Sequence, residues 1–289
     1  MIAGSLKRPL KLLLLGLIVA SCVGAGGTVA YMRGLFGNPW AGFEKSTLNP
    51  GFSSRATPGD LGLPYRQITI VSGGRKLDGF FVPAGPDCGT RTAVLIFHGR
   101  NETIADWVGA QQHLHAACIA SLAFDYSGHG HSDGPGTIAN LDADGVAAYQ
   151  TFVALTPNSR RCILSHSMGG GPMLQAAMAS GVSPNCIVLA SPFSSLRSMA
   201  MRDGLPAVLA GLMPDVWDNV AAVRGIHAPL LWIHSKADRT IPIAEGQAVF
   251  DAAPAPKTAQ VIDAFDHNAI HEQFPAEIWG PMTTFLRGE

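Results

Sequence analysis

Short, mostly uncharged apolar segments alternate with helix-like segments along the chain, and this alternation restricts the possible fold more than any other feature. Strands buried on both faces are typically continuous apolar runs, and parallel strands need helical crossovers between them. The pattern therefore predicts an α/β protein with a mostly parallel central sheet covered by helices on both faces. Strands are expected at 93–97, 120–126, 162–164, 186–190, 230–234 and 259–264, after an opening hairpin of 65–71 and 77–82. Helices are expected at 104–118, 138–155 (capped by Asn140), 171–179, 243–252 and 270–286.

One turn of the predicted fold carries a serine between small residues. The sequence Ser165-His166-Ser167-Met168-Gly169-Gly170 joins an apolar strand directly to a helical segment. This is the context in which G-x-S-x-G forms a nucleophile elbow, with Ser165 standing where the first Gly usually is. A serine there adds only a CH2OH group, so the sharp turn should be preserved. The alternative interpretation is an ordinary Ser-Gly loop that caps a helix.

A serine nucleophile needs a base and a group that orients the base. Asp238 follows the strand 230–234, and His267 follows the last strand, so the chain order is Ser, Asp, His, as expected for this elbow. The oxyanion hole is expected from the backbone N–H groups of Met168 and Arg100, the latter in the loop after strand 93–97. His98, in the same loop, is a competing candidate for the base.

Five motifs, in order, carry a resemblance to a known family: His98-Gly99-Arg100-Asn101, the segment 125–132 (DYSGHGHS), the turn 165–170, the segment 235–242 (SKADRTIP) and Asp266-His267-Asn268. Over residues 65–288 the chain resembles α/β-hydrolase-fold serine hydrolases, in the branch that is serine-aminopeptidase-like, monoacylglycerol-lipase-like and protein-depalmitoylase-like. The resemblance implies Ser167 as nucleophile, His267 as base and Asp238 as orienting acid. Ser165 and Arg100 depart from the common pattern, and Arg100 affects the expected polarity of the pocket.

These features predict a serine hydrolase that cleaves a carboxylic ester or thioester through an acyl-serine intermediate. The alternatives are a serine aminopeptidase-like amide hydrolase and, less favoured, a non-catalytic binding protein on a hydrolase scaffold. The expected partner is a small-molecule acyl ester, thioester or amide. Only 14% of residues are charged and the net charge is −1, which argues against nucleic acid. No C-x-x-C or H-E-x-x-H motif suggests a metal, and no cofactor is expected.

The N-terminus has the pattern of a membrane or export element. Lys7, Arg8 and Lys11 precede the uncharged segment 12–32, which is long enough to cross about 30 Å of hydrocarbon as a helix. The positive-inside rule then places the following domain outside the cytoplasm. Retention as a signal anchor, lipidation at Cys22 and simple cleavage all remain open. We assign 1–33 to this anchor or signal peptide, 34–60 to a linker and 61–289 to the hydrolase domain, with a small helical cap at about 192–227.

Four cysteines remain in the body of the chain, and an even number in an exported domain permits disulfides. Cys88 and Cys118 precede neighbouring strands, as do Cys162 and Cys186, so each pair could meet at the non-catalytic edge of the sheet. The alternative is that all four are small buried apolar side chains.

Overall fold

The computed structural model of the protein describes residues 40–50, 56–85, 87–89, 91–212, 214–254 and 256–289. Its centre is an eight-stranded sheet with the strand order β1-β2-β4-β3-β5-β6-β7-β8. The strands are β1 Arg66–Ser72, β2 Arg75–Val82, β3 Thr92–Phe97, β4 Ile119–Phe124, β5 Arg160–His166, β6 Cys186–Ala190, β7 Leu230–Ser235 and β8 Lys257–Ile262. The pairs β1–β2 and β2–β4 are antiparallel, and the other five pairs are parallel. The predicted α/β-hydrolase sheet is therefore confirmed.

Helices cover both faces of this sheet. They are α1 Ala41–Thr47, α2 Val108–Ala116, α3 Ile138–Leu155, α4 Gly170–Ala179, α5 Leu196–Arg202, α6 Ala207–Leu212, α7 Asn219–Val223, α8 Ile243–Ala252, α9 Ala269–Glu272 and α10 Ala276–Arg287. Alternate residues of β3 belong to opposite cores: Leu95 packs in the cluster that holds α3, α4 and α8, and Ile96 in the cluster that holds α2 and α10. A strand buried on both sides needs an apolar residue at every position, which explains the continuous runs in the sequence.

Two details of the predicted helices are wrong for identifiable reasons. Thr137, not Asn140, is the N-cap of α3: the Thr137 hydroxyl accepts a hydrogen bond from the Asn140 backbone N–H at 3.1 Å. The expected last helix, 270–286, is divided into α9 and α10. Pro275 precedes α10 with an extended ψ of 136°, and its fixed geometry and missing N–H end the helical hydrogen bonding there.

A helix lies within the segment that we expected to be a linker. Helix α1 is flanked by Trp40 and Leu48, which are both buried in the core. The Glu44 carboxylate accepts a hydrogen bond from the Ile138 backbone N–H at 2.9 Å, at the start of α3. The segment around α1 is thus attached to the main domain. The anchor or signal peptide expected at 1–33, with Cys22, lies outside the described residues; within the described ranges, no helix is long and apolar enough to span a bilayer.

Both predicted disulfides are present. Cys88 bonds to Cys118 with a Cα–Cα distance of 5.4 Å, and Cys162 bonds to Cys186 with a Cα–Cα distance of 4.7 Å. Cys162 and Cys186 are register partners on the adjacent parallel strands β5 and β6. Because both cysteines stand near the beginnings of their strands, this bridge lies at the opposite end of the strands from Ser167.

Three short helices, α5 to α7, make up half of the segment 192–227 that we proposed as a cap. Glu245 of α8 fixes the start of this segment, since its carboxylate accepts hydrogen bonds from the Ser194 N–H at 2.9 Å and from the Ser198 hydroxyl at 2.7 Å. Trp217, between α6 and α7, is buried and donates its indole N–H to Asp142 of α3 at 2.8 Å. The cap segment is therefore joined to the domain by polar contacts on two sides.

Candidate active site

Ser167 stands at a sharp strand-to-helix turn. β5 ends at His166, a 3-10 turn covers Ser167–Gly169, and α4 begins at Gly170. The φ angle of Ser167 is +52°, in the left-handed region that non-glycine residues rarely occupy. A Cβ at Gly169 would overlap the carbonyl oxygen of Phe97 at the end of β3, so only glycine fits at this position. The backbone thus has the geometry of a nucleophile elbow.

Ser165, the departure from the usual motif, is the second-last residue of β5. Its side chain is buried, and its hydroxyl has no hydrogen-bond partner among the described residues. The elbow geometry at Ser167 is thus present with a serine in place of the first glycine.

Asp238 and His267 form a hydrogen-bonded pair in the loops after β7 and β8. The His267 Nδ1–H donates to the Asp238 Oδ2 at 2.7 Å. The other oxygen, Oδ1, accepts from the backbone N–H groups of Thr240 and Ile241, each at 2.8 Å. Burial alone would raise the pKa of Asp238, but these hydrogen bonds, with that from Ser191, outweigh burial and hold the pKa below its ordinary value. An ionised Asp238 leaves the His267 Nε2 as the basic nitrogen.

Ser167 and His267 line one cavity of about 400 Å³, and Asp238 is connected to it through its hydrogen bond with His267. Within the described part of the chain, no hydrogen bond joins the Ser167 hydroxyl to His267. Catalytic hydrogen bonds often shorten only when the substrate is bound, so this geometry is compatible with a serine–histidine pair.

Arg100 and Met168, whose N–H groups we expected to form the oxyanion hole, line the same cavity. His129 holds the Arg100 loop, since its Nε2 lies 3.1 Å from the Arg100 carbonyl oxygen. Burial, assisted by the nearby His98, lowers the pKa of His129 to about 4, so its ring is neutral near pH 7 and carries one N–H. The contact with the Arg100 carbonyl, at 3.1 Å, is shorter than that of Nδ1 with the Ser127 carbonyl, at 3.4 Å, and therefore favours the N–H on Nε2. Met168 follows the nucleophile at the N-terminal end of α4, where backbone N–H groups favour negative charge.

His98, the competing base, does not line the cavity. It is buried with its Nε2 3.3 Å from an oxygen of Asp125, and its ring lies against Tyr126. Its role is therefore structural.

Apolar side chains from three parts of the chain form much of the cavity wall: Trp40, Phe43, Met168, Phe193, Leu196, Met199, Trp217 and Ile241. Trp40 and Phe43 were missed by the sequence analysis, because the segment 34–60 is rich in Gly, Pro, Ser and Asn and has no clear periodicity. Charged side chains also contribute to the lining, among them Arg100, Arg202 and Glu272.

Beside the catalytic groups lies a buried cluster that the sequence analysis also missed, formed by Glu102, His166 and His271. Their potential ligand atoms all lie within 4.8 Å of one another, so these residues form a donor set that could hold a metal ion. The Glu102 Oε1 lies 2.7 Å from the His166 Nδ1 and 3.5 Å from the His271 Nε2. His166 is part of the turn motif and Glu102 follows the His-Gly motif, but nothing in the sequence pattern indicates that they meet.

Comparisons with known proteins show what this chain is similar to. A family model described as "Serine aminopeptidase, S33" matches residues 89–220. An uncharacterized protein of Mycobacterium tuberculosis is 26% identical over 208 residues, which cover 71% of this chain and 74% of that protein. The human alpha/beta hydrolase domain-containing protein 17B is 24% identical over 210 residues, 70% of this chain and 69% of that protein. The solved structure of a Pyrococcus furiosus esterase has a TM-score of 0.67 and 23% identity, over 84% of this chain and 98% of that chain, which shows a common fold.

Proposed function

We propose that this chain, which is similar to α/β hydrolases, hydrolyses carboxylic esters or thioesters through an acyl intermediate on Ser167. The observation that carries the proposal is the pairing of His267 with Asp238 at 2.7 Å next to a serine in the geometry of a nucleophile elbow. A protein that only binds ligands needs neither the strained serine nor the oriented histidine.

In the proposed reaction the Ser167 Oγ attacks the acyl carbon while the His267 Nε2 takes the hydroxyl proton. The carbonyl oxygen becomes an oxyanion, which the N–H groups of Met168 and Arg100 stabilise. The tetrahedral intermediate then collapses, and the leaving alcohol or thiol receives the proton from His267. A water molecule repeats the sequence on the acyl-enzyme and releases the acid. Asp238 stays ionised throughout and stabilises the imidazolium.

The apolar part of the cavity wall offers a place for an acyl chain. Each methylene group that moves from water into such a wall contributes about 0.8 kcal/mol. Phe43, Leu196 and Met199 come from different segments of the chain and line the cavity with Ser167. We therefore expect kcat/KM to rise from acetate to butyrate and longer esters, until the cavity is filled.

A serine aminopeptidase-like amide hydrolase is the second candidate, supported by the matched family model and by carboxylates in the cavity lining. A free amino terminus needs an available carboxylate. The Asp106 carboxylate already accepts hydrogen bonds from the backbone and side chain of Thr103, at 2.7 and 3.0 Å, and Glu272 accepts one from Asn268 at 3.0 Å. Each carboxylate keeps acceptor sites for a further donor, so a comparison of ester and anilide turnover decides between the two candidates.

We also propose that the domain works outside the cytoplasm, tethered by its N-terminal segment. The uncharged residues 12–32 and the preceding basic residues support the tether, and the two disulfides are typical of an oxidising compartment. Six residues separate Arg33, the basic residue after the apolar segment, from Trp40 in the cavity wall. The seven chain steps between them span at most about 25 Å. A tether this short would keep the cavity near the bilayer.

The decisive experiment is labelling with a serine-directed fluorophosphonate, followed by turnover of p-nitrophenyl esters and aminoacyl anilides. The wild-type protein should be labelled on Ser167, and Ser167→Ala should lose both label and turnover. Near-native ester turnover by Ser167→Ala would refute the mechanism. A clear preference for the anilide would select the peptidase candidate. Fractionation of the full-length protein tests the tether: release by a salt wash would exclude it.

A further inference from the structure

The Glu102 carboxylate connects three segments of the active site. Its Oε2 accepts hydrogen bonds from the Gly99 N–H at 2.7 Å and from the Trp107 indole N–H at 2.8 Å. Its Oε1 pairs with the His166 Nδ1 at 2.7 Å. The opposite nitrogen of the same ring, the His166 Nε2, lies 3.0 Å from the backbone carbonyl oxygen of His267. The loop expected to form the oxyanion hole and the loop of the expected base are thus joined through two buried side chains.

Both ring nitrogens of His166 face acceptors. A carbonyl oxygen can only accept a hydrogen bond, so the Nε2 that faces His267 must carry a proton. The Nδ1 faces Glu102, and a hydrogen bond there requires a proton either on Nδ1 or on the carboxyl group.

The contacts favour a shared proton over a metal ion. Two ligand atoms that each lie about 2.0–2.1 Å from one tetrahedral zinc ion are separated by roughly 3.3 Å. The distance of 2.7 Å between the Glu102 Oε1 and the His166 Nδ1 is that of a charge-assisted hydrogen bond. The His271 Nε2, at 3.5 Å from the same oxygen, completes the polar surroundings of the carboxylate without replacing that bond.

We propose that Glu102 and His166 are positioning residues that fix the position of the His267 main chain relative to the loop expected to form the oxyanion hole. Glu102 orients the His166 ring, and the His166 Nε2–H fixes the carbonyl of the residue that carries the catalytic imidazole. The inference rests on the proposed role of His267 as the base. A displacement of about 1 Å can cost 10²-fold in rate, so loss of this hydrogen bond should lower kcat by about 10- to 100-fold. KM should change by less than about threefold, since neither bond is made to the substrate.

Substitutions of His166 separate the two bonds. The side-chain amide of His166→Gln can reach the place of Nε2 and donate to the His267 carbonyl, whereas the shorter His166→Asn amide replaces only Nδ1 and reaches Glu102. Both variants are uncharged and remove the same ring. The proposal requires that His166→Gln keep about tenfold more kcat than His166→Asn.

Substitutions of Glu102 test the other half of the pair. In Glu102→Gln the amide oxygen can still accept from Gly99 and Trp107, and its NH2 can donate to a His166 ring that keeps its Nε2 proton. We therefore expect Glu102→Gln to retain more than a tenth of the wild-type kcat, and Glu102→Ala to lose about 10- to 100-fold. If Glu102→Ala does not fold, the comparison of His166→Gln with His166→Asn and the kcat of Glu102→Gln still test the proposal.

The assay uses the full-length protein and p-nitrophenyl butyrate, with kcat divided by the number of sites that a fluorophosphonate labels to completion. This division separates positioning from folding, because an unfolded fraction lowers the number of sites and leaves kcat per site unchanged. Equal kcat for the two His166 variants, or an equal loss in Glu102→Gln and Glu102→Ala, would overturn the proposal. So would one bound metal ion per chain, measured by mass spectrometry, that Glu102→Gln abolishes. A wild-type protein that is not labelled would instead refute the proposed function.

Discussion

Asp142 of α3 offers a quantitative test of the packing behind the cavity wall. Its carboxylate accepts the indole N–H of Trp217, which lines the cavity. Burial raises the pKa of Asp142 from 3.8 to about 6, against the opposing effect of the Trp217 hydrogen bond. The difference corresponds to roughly 3 kcal/mol between the two protonation states.

The sign of the effect follows from proton binding. Between about pH 4 and pH 6 the folded state binds more protons at Asp142 than the unfolded state, so the contribution of this group to stability falls as the pH rises. Above pH 6 the full cost of the buried charge is present. Asp142→Asn removes the charge and keeps an oxygen that can accept from Trp217. The variant should equal the wild type in stability near pH 4 and exceed it by up to about 3 kcal/mol at pH 8.

The assay is thermal or urea unfolding of wild type and Asp142→Asn at pH 4 and pH 8. For a domain of this size, 3 kcal/mol corresponds to a rise in Tm of about 6–12 °C. The matched control is Asp251→Asn on α8, which makes the same chemical change at an exposed aspartate that accepts a hydrogen bond from Gln247. A gain from Asp142→Asn that does not depend on pH would refute the reasoning.

Three further predictions follow from the same structure. Asp238→Asn and His267→Ala should each lower kcat by several orders of magnitude, and the double variant should lose little more than the worse single variant, because the residues act as a unit; additive losses in p-nitrophenyl ester turnover would argue against the pair. A chain that begins at residue 39 should keep its activity. A chain that begins at residue 57 lacks Trp40 and Phe43, so it should lose acyl-chain selectivity, measured as kcat/KM over an ester series, and stability, measured as Tm. A thiol titration of the unreduced protein should find at most one free thiol among its five cysteines, and four or more would contradict both bridges. The double variant Cys162→Ala, Cys186→Ala should lower the free energy of unfolding by about 3–4 kcal/mol.

Much of the fold could be predicted because its signals are local. The continuous apolar runs of β3 and β6 reflect burial on both faces of the sheet, and each run lies within one short segment. The elbow is equally local, since a strand, a serine among small residues and a helix follow directly along the chain. Asp238 and His267 could be proposed because parallel strands bring their carboxyl ends to one edge of the sheet.

The tertiary structure alone decided which distant groups complete the site. Glu102 meets His166 across 64 residues, and His166 meets the His267 carbonyl across 101 residues. Glu44 reaches the start of α3 across 94 residues and brings α1, with Phe43, to the cavity. Each of these polar residues is of a type that is common in loops and helices, and no periodicity in the sequence distinguishes it from the others. Their roles arise from burial, which removes water and makes each hydrogen bond depend on a partner that only the folded chain supplies.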